Sequence, residues 1–175
     1  DVFIVGGGSS LKTFDWTQLK GKRVIGCNDA YKLVFPEYTG IPDLIDVCYF
    51  GDYGWWLIHW QDTIEYPPET GEKDHPGLKA FPGLRVGCPE RYIDCPGVKM
   101  IRRKSRGVHG GNMVGWFFNT GASAVNLAIN FGAKRVVLLG FDMTLDGKTG
   151  ENNWHHNLKN KPNAAILNKH IRHTN

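Results

Sequence analysis

A chain of 175 residues with 41% apolar side chains can close one hydrophobic core but is short for two, which predicts a single domain over 1–175. The formal net charge of +4 is mild, so it accommodates phosphate-bearing partners without demanding nucleic acid. Four cysteines with no CxxC pair, no apolar run of membrane length and no signal-peptide pattern together predict a reduced, cytoplasmic protein with no membrane partner.

Val2 to Val5 reads as a short apolar strand that runs into Gly6, Gly7, Gly8, Ser9 and Ser10. Three residues without a Cβ expose backbone N–H groups that can cradle a phosphate, or they can make a tight turn with no ligand. No Gly-Lys-Ser/Thr follows, and the GxGxxG spacing of dinucleotide folds is absent. Thr13 to Leu19 predicts a short helix or turn, and Arg23 to Gly26 a second strand. That strand delivers Asn28 and Asp29 to its carboxyl end, where the Asn28 amide suits a base or ribose, or else closes an Asx-turn.

Leu44 to Phe50 predicts a third buried strand, with Gly51 and Asp52 at its exit and an aromatic-rich helix over Tyr53 to Trp60. Trp55, Trp56 and Trp60 read there as packing residues. Residues 63–84 hold four prolines and three glycines, which predicts an irregular surface excursion. A further strand is expected at Val98 to Ile101. It enters the basic run Lys99, Arg102, Arg103, Lys104 and Arg106, either a solvated edge or a rim facing a polyanion. Gly107 to Gly115, carrying His109, has the composition of a mobile loop over a crevice.

The segment from Phe118 to Asp142, FNTGASAVNLAINFGAKRVVLLGFD, reads as a complete helix-to-strand unit. Asn119 or Thr120 caps the helix. Ala122, Val125, Ala128, Ile129 and Phe131 give it an apolar face, and Gly132 stops it. Val136 to Leu139, apolar on both faces, predicts a central parallel strand. In open α/β sheets ligands sit beyond the carboxyl ends of such strands, which directs Asp142 and the Thr120-Gly121 helix start to the same kind of crevice, with a plain turn as the alternative role for Asp142. Beyond it, 143–154 suits a lid, His155 and His156 follow, and Asn163 to His170 predicts a closing helix. The whole predicts an α/β fold: a single Rossmann-like domain with a mostly parallel central sheet flanked by helices.

A strand followed by GGGSSLK, a second strand ending in CND, the NTGASAVNLAINFGAKRVVLLGFD unit and a late histidine resemble the bacterial family 42 sialyltransferases. They equally resemble the family-115 proteins of unknown function, which include archaeal 6-hydroxymethylpterin pyrophosphokinases and many phage-encoded relatives. The sialyltransferase resemblance implies a glycosyltransferase-like transferase. In it Gly7, Gly8, Ser9 and Ser10 touch phosphate and ribose, Asn28 adds a nucleotide contact, and Thr120, Gly121 and Gly140 complete the pocket. His155 or His156 then corresponds to the general base that activates an acceptor hydroxyl. Sialyltransferases follow their Gly-x-Asp with tyrosines that steady the leaving phosphate, whereas Met143 and Thr144 follow Asp142 here. GFDMTLDGKTG looks closer to the family-115 pattern, which leaves the leaving phosphate to Lys148 or a cation of 102–106. A phage-encoded member would work in the host cytoplasm.

Two other readings use the same residues. In a pyrophosphoryl-transfer site Asp142, with Asp52 or Asp146, holds Mg²⁺ against a nucleoside triphosphate, the one case in which a cofactor is expected. A non-catalytic module would instead meet nucleotide or nucleic acid through 99–106. Zinc is not expected, because adjacent histidines diverge and no third ligand stands at a suitable spacing from His155 and His156.

Overall fold

The computed structural model describes residues 1–67, 74–90 and 95–142. The lid at 143–154, Asp146, Lys148, His155, His156 and the helix expected at 163–170 lie outside the described residues.

Six strands make the main sheet: β1 (Val2–Val5), β2 (Val24–Cys27), β3 (Val47–Phe50), β6 (Leu84–Gly87), β7 (Lys99–Met100) and β10 (Val136–Leu139). Their order is β10-β1-β2-β3-β6-β7, and every pairing is parallel. Two small sheets flank it, β4 (Thr63–Ile64) with β5 (His75–Pro76), and β8 (Arg102–Lys104) with β9 (Met113–Gly115). Among the described residues the helices are α1 (Tyr53–His59), α2 (Thr120–Asn130) and several short 3-10 turns. The α/β expectation holds, with its parallel sheet.

Alternation along the strands sorts the core into two layers. Ile4, Ile25, Val47, Tyr49 and Val86 pack against Ala124, Leu127 and Ala128 of α2 on one face. Val5, Val24, Cys48 and Phe50 pack on the other face against Leu11, Leu19, Tyr31, Leu33, Trp56 and Phe81, supplied by α1 and the 3-10 turns. All four cysteines are buried free thiols, and desolvation pushes Cys27 up to about 12.

Asn119 caps α2 as expected, its Oδ1 accepting from Ala122 N–H at 3.0 Å, and Gly132 ends the helix with φ +81°. The apolar face differs from the expected one: Ile129 and Phe131 are about half exposed, while Ser123 and Asn126 are buried. Polar partners explain the inversion. Ser123 Oγ lies 2.6 Å from the Tyr49 hydroxyl, which is itself 2.8 Å from Cys88 Sγ. Asn126 Oδ1 accepts from the N–H groups of His109 and Gly115, and its Nδ2 donates to the His109 carbonyl. Asn126 therefore ties the 107–115 segment, expected to be a mobile loop, to α2.

Two further expectations are corrected. β10 is the outermost strand of the sheet among the described residues, not a central one, because α2 packs over β1, β2 and β3 and leaves Leu138 47% exposed. The described residues of 63–84 hold the β4-β5 pair and a 3-10 turn at Leu78–Ala80, and Leu84 opens a sheet strand, β6. Arg85 fixes that turn by donating to the carbonyls of Leu78, Lys79 and Phe81.

Candidate site at the carboxyl edge of the sheet

Because all strands of the main sheet run the same way, the residues after β1, β2, β3, β6 and β10 emerge on one edge. The chain leaves β1 towards β2 on one side and returns on the other side at β10, so β1 and β10 flank the topological switch point.

Contact distances bring the expected glycine loop and the 120–142 unit together there. A Cβ on Gly6 would stand 2.7 Å from the Gly140 carbonyl and 3.0 Å from the Phe141 ring, and one on Gly121 would lie 2.2 Å from the same ring. The loop amides are largely spent on this junction: Gly6 N–H donates to Leu139 O and Gly8 N–H to Gly140 O, both at 2.8 Å. Asp142 uses both carboxylate oxygens on Ser10, accepting from its N–H at 2.8 Å and its Oγ at 2.6 Å. Gly8 is required where Asp142 closes in, since a Cβ would sit 2.4 Å from the carboxylate oxygen. Gly7 and Ser9 are half-buried and Ser10 is exposed, so the loop still presents backbone to the edge.

Asn28 follows β2 directly and adopts φ +50°, a conformation asparagine tolerates better than most residues. Its Oδ1 is buried and accepts no hydrogen bond among the described residues. Asp29 turns inward, 3% exposed: its carboxylate accepts from the Trp55 indole N–H at 2.7 Å and pairs with Lys32 Nζ at 2.9 Å. His59 Nε2 stands 3.6 Å away, and its Nδ1 is 3.0 Å from the Tyr31 hydroxyl. Lys32 also donates to the Tyr66 hydroxyl at 3.3 Å, which lies 3.4 Å from His75 Nε2. Asp29 is thus the hub of a buried network that anchors α1 and the β4-β5 pair to the turn after β2.

A cavity of about 450 Å³ opens on the same edge, lined by Gly51, Asp52, Tyr53, Glu90, Arg103, Trp116 and Phe118. Its walls come from both layers, Tyr53 from the α1 side and Trp116 from the α2 side. In the basic run, strand alternation leaves Arg102 and Lys104 exposed while Arg103 points inward, its side chain 16% exposed, and Arg106 is exposed beyond the strand. The Arg103 guanidinium lies 4.5 Å from the Trp116 ring centroid, and its Nη1 donates to Gly51 O at 3.2 Å. Gly51 is held to glycine by that ring, which a Cβ would meet at 1.9 Å. Phe117 and Phe118 take φ +52° and +54°, backbone strain in two consecutive bulky residues, and Phe118 is 46% exposed at the cavity wall.

The cavity lies over the end of β3, two strands from β1 and so roughly 10 Å from the glycine loop, with Asn28 at the strand end between them. Sequence reading singled out Arg103 and Asn28 but not Tyr53, Glu90, Trp116 or Phe118. The signals for those four were positional only: the exits of β3 and β6, and a three-aromatic run just ahead of a capped helix.

No family model, curated protein or solved structure matches the chain. Among the described residues no helix is long and apolar enough to cross a membrane, and no group of three or more His, Cys, Asp or Glu side chains is placed to hold a metal ion.

Proposed function

We propose that the carboxyl edge binds a nucleotide, with its ring between the aromatic walls of the cavity and its phosphate on Arg103, and that the protein is a transferase of glycosyltransferase type acting on a nucleotide-linked donor. The observation that carries this reading is the cavity itself. Its size suits a mononucleotide, Tyr53, Trp116 and Phe118 offer stacking surfaces, and Arg103 is an oriented guanidinium. Asp52 can accept from sugar hydroxyls, and the buried Asn28 Oδ1 is an acceptor at the neighbouring strand end. The acceptor-activating base remains with His155 or His156, outside the described residues.

A thermal-shift screen of CMP, CDP, UDP, ADP, GDP and their sugar conjugates tests binding, since a ligand that binds only the folded chain raises its apparent stability. One base class should stabilise the wild type and fail to stabilise Trp116→Ala. Turnover of the stabilising sugar conjugate, compared with that of His155→Ala and His156→Ala, tests the base: undiminished transfer in both variants ends that assignment.

Asp52 and Glu90 in one cavity favour a second reading, Mg²⁺-assisted pyrophosphoryl transfer. Asp142, the carboxylate first expected to hold that ion, has both oxygens on Ser10. Calorimetry of ATP and GTP with and without Mg²⁺ separates the readings, because binding indifferent to the metal counts against this one.

A further inference from the structure

We propose that Glu90 is a displaceable latch on Arg103, which keeps simple anions out of the cavity and yields to a phosphate only when an attached ring stacks on the aromatic wall. The inference rests on the nucleotide reading above and adds how the site selects its ligand.

Arg103 is held by two kinds of contact. Gly51 O and the Trp116 ring belong to the packed edge: Gly51 is buried, and it admits no Cβ against the ring. Glu90 is different. Its side chain is 88% exposed, and its Oε2 stands 3.6 Å from Arg103 Nη2, beyond hydrogen-bond range. An exposed pair of this kind contributes little to stability, whereas a phosphate can take two parallel N–H bonds from a guanidinium already stacked in place.

Charge bookkeeping gives the latch its selectivity. Among the described residues the cavity lining carries one cation, Arg103, against two carboxylates, Asp52 and Glu90. A free phosphate must therefore approach these two carboxylates and move Glu90 aside with no compensating contact. A nucleotide gains stacking on Trp116, Tyr53 or Phe118 at the same time, a sequence-tolerant attraction because every base has a π-face. That gain offsets the repulsion, and Glu90, already 88% exposed, moves off Arg103 while its charge stays hydrated.

The test is isothermal titration of inorganic phosphate, the four nucleosides cytidine, uridine, adenosine and guanosine, and their 5′-monophosphates into wild type, Glu90→Gln and Arg103→Gln. The latch predicts that Glu90→Gln binds the preferred monophosphate roughly ten-fold more tightly, a change of about 1.4 kcal/mol. It also predicts measurable phosphate binding to Glu90→Gln alone and little change for the nucleoside. Arg103→Gln should bring the monophosphate down to the affinity of its nucleoside. Monophosphate binding that is unchanged or weakened in Glu90→Gln overturns the latch while leaving the nucleotide site standing. No binding of any nucleoside or nucleotide to any of the three proteins overturns the nucleotide site and the latch with it. Circular dichroism and thermal unfolding of both variants confirm that each reading comes from folded protein.

Discussion

Asp142 and Ser10 join the two ends of the described chain at the switch point of the sheet, 132 residues apart in sequence and bonded through both carboxylate oxygens. The pair is a cap: Asp142 accepts the Ser10 N–H at the start of the turn that follows the glycine loop, as a side chain does at the first turn of a helix. It fixes β10 beside β1 and shapes the loop that faces the edge.

Asp142→Ala should therefore cost about 1–2 kcal/mol of stability. Ser10→Ala should cost less, because its N–H remains. In a double-mutant cycle the two losses should be clearly less than additive, since both remove the same contact. Urea denaturation of the four proteins measures this, and strict additivity would count against the cap.

Lys32 and Asp29 form an ion pair with essentially no solvent on either side chain. Removing one partner leaves a buried charge, so Lys32→Met should destabilise by about 3–5 kcal/mol. The combined Lys32→Met and Asp29→Leu chain should recover part of that loss, because an apolar replacement removes the orphaned charge. Chemical denaturation at neutral pH decides it; a double variant less stable than Lys32→Met would contradict the account.

His75 gives a pH dependence of definite sign. Burial lowers its folded pKa below the usual 6.5, with the Lys32 charge acting in the same direction, against a raising contribution from its contact with Pro76 O and the charges of Asp29 and Glu37. A histidine depressed in the folded state binds fewer protons than in the unfolded chain. Its contribution to stability is complete above about 6.5 and is lost as pH falls from there towards the folded value. Urea midpoints measured from pH 8 down to 5 should fall through that window, and His75→Gln should flatten the fall. An equal slope in wild type and variant would assign the effect elsewhere.

Gly51→Ala probes the link between backbone and cavity. A Cβ there meets the Trp116 ring at 1.9 Å, so the indole must leave its place under Arg103. The variant should fold with reduced stability and lose nucleotide binding by at least the loss seen in Trp116→Ala. Thermal-shift titration checks both, and full binding in a folded Gly51→Ala would show that the ring is not part of the site.

The strands that set the edge were legible where the chain states them strongly. Val2 to Val5 and Val136 to Leu139 are apolar runs closed by glycine, and Asn119 announces the start of α2. β6 was hidden because Leu84, Arg85 and Val86 are too few and too mixed to stand out between Pro82 and Gly87. The buried face of α2 was misread because periodicity scores Ile129 and Phe131 as inside and Asn126 as outside. It cannot see that Asn126 has the backbone of His109 and Gly115 to satisfy it. The carboxyl-edge position was likewise legible from strand ends. The cavity was not, since its lining comes from four separated segments, at 51–53, 90, 103 and 116–118. Nor does sequence show that Asp29 and Asp142 are already committed to internal partners.

The proposed nucleotide site is tested most directly by following backbone amide and indole chemical shifts while CMP, UMP, AMP and GMP are titrated into the protein. The account predicts that one of them moves the Trp116 indole resonance and the amides of Gly51, Asp52 and Tyr53 together, along a single saturating curve. Shifts confined to other parts of the chain, or none at millimolar ligand, would contradict it.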